Sequence, residues 1–380
     1  MESFIPAAIY HNIFLYFITL LVVIKIVPIG NENILTPETK NVGLTKTLFL
    51  GLVLILFFGL RDTEDPGGFF ADSRGYAYFY TQVTNGATLP VYDSLTILSE
   101  SKDVGFYLVR DFMASNDFDV TIWFIVVSII YVVPFIIAAN RFFPEHQYLA
   151  FLFMLCNFVF YSGAVNGLRN GDAIALFVGG TALLLTKYRP VLVGIALIIF
   201  SYLFHNSAII LVLSLFSAII LVRKINIAII IWIVSIISSL LFGNSLAEVA
   251  TSLGFDERAE EYLMSGKDLN NMQASFSHIG FRWDFLLYSS IPIILGWYVS
   301  ARKQINDKIY QIILNTYIIS NSIWIIFMYA SYTNRFAGLS WGLYAIVLLY
   351  PLIKLKIFPN YQKLFVVLGL CFMLLCSYIL

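Results

Sequence analysis

Residues 59–80 read GLRDTEDPGGFFADSRGYAYFY and follow directly on an apolar segment. Six of the fourteen residues from Arg61 to Arg74 are charged, whereas the chain before this stretch and most of the chain after it is apolar. Charged residues are scarce in the rest of the chain and concentrated here, at the end of an apolar segment. This concentration indicates a functional surface at that end.

The composition is typical of a membrane protein. Of the 380 residues, 59% are hydrophobic, 17% are aromatic and only 12% are charged, whereas about a quarter of the residues in soluble domains are charged. Because the apolar segments are continuous rather than alternating, they favour membrane-spanning helices over a β-barrel. We therefore predict an all-α polytopic integral membrane protein with a single transmembrane domain over residues 1–380. The net charge of zero gives no indication of nucleic-acid binding.

The apolar segments divide into about twelve candidate membrane spans. They cover residues 7–28, 44–60, 119–139, 147–163, 168–186, 189–204, 207–222, 225–243, 282–300, 309–330, 336–353 and 361–380. The sixth and seventh are short for two full crossings. They could instead form one long bent element, or two half-length helices that meet at His205 and Asn206.

The basic residues set the orientation of the spans, because loops on the inner side of a membrane are enriched in lysine and arginine. With the loop after the first span placed inside, fourteen basic residues lie at inner ends and nine lie on the outer side. Ten of the fourteen are lysine, and seven of the nine are arginine. The outer side then has two long loops, residues 61–118 and 244–281.

Each long outer loop contains a candidate amphipathic helix. Residues 103–115 (DVGFYLVRDFMAS) are apolar on one side, with Val109, Phe112 and Met113 at helical spacing. A shorter amphipathic turn covers residues 246–253 in the second loop. We expect the first of these helices to lie in the membrane interface.

Arginine on the outer side runs against the usual distribution of basic residues. Four arginines fall at the predicted outer ends of spans: Arg61, Arg169, Arg282 and Arg335. The planar guanidinium group binds phosphate through two parallel hydrogen bonds and is weakly hydrated. These residues are candidates for one shared anion-binding site, or alternatively for separate anchors that pair with carboxylates or lipid phosphate.

Asp72, Tyr76 and Tyr80 follow the turn formed by Pro66, Gly67 and Gly68. If the chain resumes as a helix there, the spacing of four residues places all three side chains on one face. A carboxylate beside tyrosine rings suits sugar hydroxyls, and Asp72 could act as a general base. The alternative is that Asp72 caps a helix while the tyrosines belong to an interfacial aromatic belt.

His205 lies in the segment SYLFHNSAII and has apolar helical sequence on both sides. An ionisable group in such a place is a candidate functional residue, although a lone histidine can also be a packing residue. The four histidines are dispersed, and neither a P-loop nor an HExxH motif occurs. We therefore predict no metal site and no cofactor.

Four short elements in a fixed order carry a family resemblance. They are Arg61 with residues 72–76 (DSRGY), residues 103–106 (DVGF), residues 166–169 (NGLR) and residues 204–207 (FHNS). In this order they resemble the EpsG-type family of bacterial exopolysaccharide and O-antigen polymerases, the Wzy-like proteins. The second element departs from the family's usual form, which has glutamate and proline there. The resemblance covers residues 45–225.

The resemblance implies a GT-C-like fold and a polymerase in the bacterial inner membrane whose site faces the periplasm. It would join oligosaccharide repeat units carried on undecaprenyl diphosphate, so that donor and acceptor are both lipid-linked. A chain-length regulator is a further candidate partner. Transfer would invert the anomeric carbon without a metal ion.

The candidate residues divide into three roles under this hypothesis. The arginines Arg61, Arg169, Arg282 and Arg335 would bind diphosphate, where a metal ion otherwise would. Either Asp72 or His205 would orient or deprotonate the acceptor hydroxyl. Tyr76 and Tyr80 would pack on sugar rings.

Other functions of the same membrane topology stay open. A flippase or transporter of lipid-linked oligosaccharides would also have many spans, but transporters place ionisable residues near the bilayer midplane rather than at span ends. An O-antigen ligase would use the same leaving group with a different acceptor. A membrane acyltransferase would need a catalytic histidine, for which His205 is a candidate.

Overall fold

The computed structural model describes residues 5–27, 33–62, 69–86, 103–186, 190–221, 224–252, 280–329 and 333–379. Within these ranges the chain forms helices and turns and no β-strand. The prediction of an all-α protein is therefore confirmed for this part of the chain. Most of the predicted outer loop 244–281 lies outside the described residues.

Sixteen α-helices occur in the described ranges. Their bounds are α1 (Ala7–Ile26), α2 (Lys40–Gly59), α3 (Ala71–Thr84), α4 (Val104–Ser115), α5 (Val120–Phe142), α6 (Gln147–Leu155), α7 (Phe158–Val165), α8 (Leu168–Leu185), α9 (Val191–Phe204), α10 (Ile209–Ile220), α11 (Ile225–Ser252), α12 (Trp283–Trp297), α13 (Lys308–Ile326), α14 (Thr333–Trp341), α15 (Tyr344–Ile353) and α16 (Gln362–Ile379).

The described residues contain nine helical segments that are long and apolar enough to cross a membrane. A tenth is possible if α6 and α7, which meet at a bend of 74°, form one broken span. The predicted spans 189–204 and 207–222 are the short helices α9 and α10, on either side of His205. A polytopic membrane protein is thus supported, whereas twelve full spans and a GT-C-like architecture stay predictions.

The helices divide into two compact units. The first consists of Met1–Ala208 together with Leu352–Leu380, and the second of Ile209–Pro351. Both units contain membrane-length apolar helices, and the single transmembrane domain over residues 1–380 stays a prediction.

Helix α8 forms the centre of the first unit, where it packs against α5, α7 and α9. Its first turn crosses α7 so closely that a Cβ atom on Gly171 would clash with the carbonyl oxygen of Gly163. Only glycine allows this backbone approach. The crossing fixes the start of α8, and with it the side chain of Arg169.

Helices α3 and α4 lie outside the membrane-length segments. The predicted restart of a helix after Pro66-Gly67-Gly68 is confirmed, because α3 begins at Ala71. The predicted amphipathic helix over residues 103–115 is confirmed as α4. An aromatic cluster lies beneath the two helices, in which Phe106 packs edge-on against Trp123 and Phe204. The packing of these rings positions α3 and α4 over the ends of α5 and α9.

The second unit is joined by polar contacts between its helices. The indole of Trp232 donates to the side-chain oxygen of Asn321 at 2.9 Å, and Asn321 donates to the Ser340 hydroxyl at 3.1 Å. The indole of Trp341 likewise donates to the Ser289 hydroxyl at 2.8 Å. The hydrophobic effect contributes little to helix association in lipid, so interhelical hydrogen bonds such as these help to hold the helices together.

Candidate functional site

Asp103 is the centre of a polar cluster that joins three segments of the first unit. Its carboxylate is almost completely buried, with 2% of the residue exposed. The guanidinium of Arg169 donates to Oδ2 at 2.7 Å, and the backbone N–H of Asn206 donates to Oδ1 at 2.8 Å. The Nδ1 atom of His205 lies 3.0 Å from Oδ2 and 3.1 Å from Oδ1. One carboxylate therefore holds a histidine and an arginine side by side.

The environment of Asp103 keeps it ionised. Burial on its own raises the pKa of the carboxyl group, but the hydrogen bond and charge of His205, the charge of Arg169 and the N–H of Asn206 outweigh it. The net result is a pKa below the ordinary value of an aspartate. At neutral pH the cluster thus contains a fixed negative charge between a cation and an imidazole.

The break between α9 and α10 places His205 in this cluster. Helix α9 ends at Phe204, and His205 follows with an extended backbone at φ −156° and ψ 120°. A hydrogen bond from Nδ1–H to a carboxylate leaves the lone pair of the imidazole on Nε2. Within the described part of the chain, Nε2 has no hydrogen-bond partner, and 22% of the side chain is exposed. This geometry suits a general base whose tautomer is set by its neighbour.

Arg169 lies in the first turn of α8 and faces the same carboxylate. Its Nε donates to the Tyr76 hydroxyl at 2.9 Å, and Nη1 donates to Asp103 at 2.7 Å and to the Tyr107 hydroxyl at 3.1 Å. These contacts hold the plane of the guanidinium. Nη2 makes no hydrogen bond to any described residue, and 20% of the side chain is exposed. One edge of an oriented cation is thus available to an anionic group.

A close backbone contact sets the distance between Asp103 and His205. A Cβ atom on Gly105, at the start of α4, would lie 3.0 Å from the Cβ of Leu203 and 3.1 Å from its carbonyl oxygen. No larger residue fits at this separation without a shift of the backbone. Glycine in the DVGF element therefore allows α4 to approach the end of α9.

Arg61 lies beneath the cluster rather than at its surface, with 4% of the residue exposed. Its Nε donates to the Ser73 hydroxyl at 3.0 Å, Nη1 donates to the carbonyl of Phe58, and the guanidinium stacks 4.2 Å from the ring of Phe124. The Ser73 hydroxyl in turn donates to the carbonyl of Val165. Burial lowers the pKa of Arg61 to about 10, so it remains charged at neutral pH. Arg61 thus ties the end of α2 to α3 and to the segment that precedes Arg169.

Asp172 is a second buried carboxyl group, one helical turn after Arg169. The residue is fully buried, and neither carboxylate oxygen has a hydrogen-bond partner among the described residues. The same is true of Nη2 of Arg61. The two charges attract each other electrostatically. An uncompensated buried charge is costly, so Asp172 is a candidate counter-charge for the buried guanidinium of Arg61.

The residues predicted to bind sugar occupy different environments on α3. Tyr76 contacts Arg169 as described above, and Asp72 lies partly buried in the first turn, where its charge acts on Tyr76. Tyr80 is 2% exposed, stacks on Trp123 at 5.1 Å and donates its hydroxyl to the carbonyl of Phe118 at 2.8 Å. The contacts of Tyr80 are those of a packing residue, and its role in sugar binding stays a prediction.

The other two candidate arginines belong to the second unit. Arg282 forms a double hydrogen bond with Asp284, at 2.9 Å and 2.6 Å, and its guanidinium lies 3.7 Å from the ring of Phe285. Arg335 is partly buried on α14. The first unit therefore brings Arg169 into the Asp103 cluster and Arg61 beneath it, while a site shared by all four arginines stays a prediction.

Sequence reasoning missed Asp103, which is the residue with the most contacts to other candidates. The available signal was the DVGF element itself, which stands in the family order between the DSRGY and NGLR elements. Its hydrogen-bond partner His205 is 102 residues away in the chain, so no local pattern pairs them. Tyr107, one residue beyond the element, was also missed.

One comparison with known proteins agrees with the family resemblance. The family model described as EpsG family matches residues 46–380. No curated relative and no solved structure matches at a significant level. Across the described residues, no group of three or more histidine, cysteine, aspartate or glutamate side chains is arranged to hold a metal ion.

Proposed function

Because the chain belongs to the EpsG family, we propose that it is a polysaccharide polymerase of the bacterial inner membrane. It joins oligosaccharide repeat units carried on undecaprenyl diphosphate, at a site that faces the periplasm. The observation that carries this proposal is the Asp103 carboxylate, which holds His205 and Arg169 next to each other. A base beside an oriented cation is what displacement of a diphosphate by a hydroxyl requires.

His205 acts as the general base in this proposal. Nε2 takes the proton from a hydroxyl of the acceptor sugar, and the hydroxyl oxygen attacks the anomeric carbon of the donor. The bond from that carbon to the diphosphate oxygen breaks, and its electron pair leaves with the diphosphate. A direct displacement of this kind inverts the anomeric carbon. Asp103 fixes the tautomer of His205 and stabilises the imidazolium that forms.

Arg169 stabilises the leaving group. Charge develops on the diphosphate oxygen as the glycosidic bond breaks, and an oriented donor aimed at that oxygen lowers the barrier. The contacts with Tyr76, Tyr107 and Asp103 occupy Nε and Nη1, so Nη2 remains to donate to a phosphate oxygen.

The remaining candidates take supporting roles. Arg61 positions α3 and the turn before Arg169 through Ser73, because its own guanidinium is buried. Asp72 and Tyr76 contact the acceptor sugar near the start of α3. Arg282 and Arg335 bind diphosphate, as the sequence predicts.

An O-antigen ligase is the second candidate, since it also displaces undecaprenyl diphosphate and the same cluster would serve it. A flippase fits less well, because the cluster consists of residues at the ends of helices and not at their middle. The lipid-linked pool of the native bacterium distinguishes the three functions. Loss of a polymerase leaves single repeat units that reach the outer surface, loss of a flippase leaves them inside, and loss of a ligase leaves finished polymer on undecaprenyl diphosphate.

The test compares three strains of the native bacterium. In one the gene is deleted, in one it carries His205→Gln, and in the matched control it carries His11→Gln. His11 is an exposed histidine on α1. We expect single repeat units at the outer surface in the deletion and in H205Q, and normal polymer in H11Q. Normal polymer in the deletion strain would overturn the proposed function, and normal polymer in H205Q alone would overturn the role of His205.

A further inference from the structure

A groove lies at the opposite end of the first unit, between α1 and α2. It encloses a volume of about 470 Å³. One wall consists of Phe17, Leu21 and Ile24, which recur every three or four residues along one face of α1. The other wall is Lys46, Phe49, Leu50 and Val53, which share one face of α2 in the same way.

Helix α6 closes the back of the groove. It packs against both α1 and α2 and contributes the ring of Tyr148 to the lining. From Lys46 to Val53 the groove follows α2 for roughly 10 Å, at the helical rise of about 1.5 Å per residue. The groove is thus a narrow apolar channel that begins at a charged end and runs along the helices.

The charged end has more positive than negative groups. Nζ of Lys25 lies 3.5 Å and Nζ of Lys46 lies 3.4 Å from the same oxygen of Glu38. Two ammonium groups therefore share one carboxylate oxygen, and one positive charge remains uncompensated. Each ammonium group has three donors, and the Lys46 side chain is 48% exposed, so donors remain for a further anion. The Lys25 ammonium also lies 5.9 Å from the ring of Tyr148.

The position of the groove along α2 separates it from the Asp103 cluster. Lys46 lies near the start of α2, whereas Arg61 follows directly after its end. A helix of this length spans about 30 Å, which is the thickness of the hydrocarbon core of a bilayer. The groove therefore opens at the membrane surface opposite to the candidate functional site, on the side where the sequence predicts an excess of lysine.

We propose that the groove binds one anionic glycerophospholipid of the inner leaflet. Its phosphate lies between Lys25 and Lys46, and one acyl chain lies along Phe17, Leu21 and Val53. The charge complementarity at the mouth and the apolar walls behind it match the two parts of such a lipid. This site does not depend on the proposed polymerase activity, since it shares no residue with it.

The test measures lipid retention by native mass spectrometry of the purified full-length chain. The protein is supplied with equal amounts of phosphatidylglycerol and phosphatidylcholine with identical acyl chains. Because the two ammonium groups favour a headgroup with a net negative charge, we expect about a tenfold preference for phosphatidylglycerol, which Lys25→Gln with Lys46→Gln abolishes. Glu38→Gln should increase the preference, because it removes the competing carboxylate.

Matched controls separate the groove from general membrane charge. Replacement of the exposed lysines Lys354 and Lys363 by glutamine removes the same charge elsewhere and should leave the preference unchanged. Val53→Trp fills the groove and should release the lipid, whereas Leu52→Trp, on the exposed neighbouring face of α2, should not. Equal retention of both lipids by the wild type overturns the proposal. An equal loss of the preference in K25Q/K46Q and in the control lysine pair also overturns it, and so does retention of the lipid by V53W. If K25Q/K46Q does not fold, the results for V53W and E38Q decide between the outcomes.

Discussion

Nδ1 of His205 lies 3.0 Å from Oδ2 of Asp103, although 102 residues separate the two in the chain. The contact brings the start of α4 to the break between α9 and α10. Since Arg169 donates to the same carboxylate at 2.7 Å, three of the four sequence elements of the family meet at one group. The proposed chemistry depends on this relationship more than on any other.

Asp103→Asn removes the charge and keeps the shape of the side chain. We expect at least about a hundredfold lower rate of polymerisation, because His205 loses the partner that fixes its tautomer. The rate is measured as incorporation of lipid-linked repeat units into polymer by the purified chain. Asp111→Asn is the matched control, since Asp111 is a partly exposed aspartate on the same helix. Full activity of D103N would contradict the assigned role.

The lowered pKa of Asp103 also predicts how stability depends on pH. A carboxyl group whose pKa is lower in the folded than in the unfolded state stabilises the fold above its unfolded pKa, and this contribution is lost as the pH falls through the folded pKa. Wild type should therefore unfold at a higher temperature than D103N at pH 7, and the difference should shrink below about pH 4. Thermal unfolding in detergent at both pH values measures it. A difference that is independent of pH would show that the carboxylate charge is not the cause.

Arg169→Lys keeps the charge but loses the planar group. The single nitrogen of an ammonium cannot occupy the separate positions of Nε, Nη1 and Nη2, which contact Tyr76, Asp103 and, in this proposal, a phosphate oxygen. We expect kcat to fall by about a hundredfold with a smaller change in KM, because the lost interaction forms mainly in the transition state. Arg74→Lys, an exposed arginine on α3, is the control and should be active. An R169K enzyme with normal kcat would exclude Arg169 from stabilising the leaving group.

Gly105→Ala tests the close approach of α4 to α9. The added Cβ would lie 3.0 Å from the Leu203 Cβ, so the backbone must move and carry Asp103 away from His205. We expect a loss of about 1–3 kcal/mol in the free energy of unfolding and a matching loss of activity. Gly75→Ala on α3 is the matched control, because a Cβ there meets no atom within 4 Å. Alanine also has a higher helix propensity than glycine, so this substitution should not destabilise α3. Equal effects of the two substitutions would contradict the packing argument.

A double-mutant cycle tests whether Asp172 compensates Arg61. If the two side chains form a charge pair, Arg61→Gln or Asp172→Asn alone leaves one uncompensated charge inside the bundle, whereas the double variant leaves none. We expect the double variant to be more stable than the sum of the single effects predicts, by at least about 1 kcal/mol in the free energy of unfolding. Chemical denaturation in mixed micelles measures each corner of the cycle. Additive effects would mean that the two charges do not act on each other.

Hydropathy alone predicts most of the fold, since a bilayer allows few alternatives to apolar helices. Helix α4 was predictable from its amphipathic spacing, and the break at His205 from the shortness of the two segments around it. The bend of 74° between α6 and α7 was not. The segment 147–163 contains no proline or glycine before Gly163, and the local signal at the bend is Asn157, whose side chain caps α7 by accepting from the N–H of Val159.

The candidate site was only partly predictable, for a different physical reason. His205 and Arg169 stand out because a charged group at the end of an apolar helix is expensive and therefore rare. Asp103 lies in a polar loop, where aspartate is common, and its burial comes from tertiary packing that no local pattern encodes. The sequence also singles out Arg61, and its burial beneath α3 is that of a positioning residue and not of one that faces a substrate.

The most direct measurement incubates the purified chain in lipid nanodiscs with undecaprenyl-diphosphate-linked repeat units, extracted from a bacterium in which the gene is deleted. We expect wild type and H11Q to convert single units into a ladder of longer chains and to release undecaprenyl diphosphate, whereas H205Q does neither. Wild-type protein that leaves the units single, or an H205Q variant that builds the same ladder as wild type, would contradict this expectation.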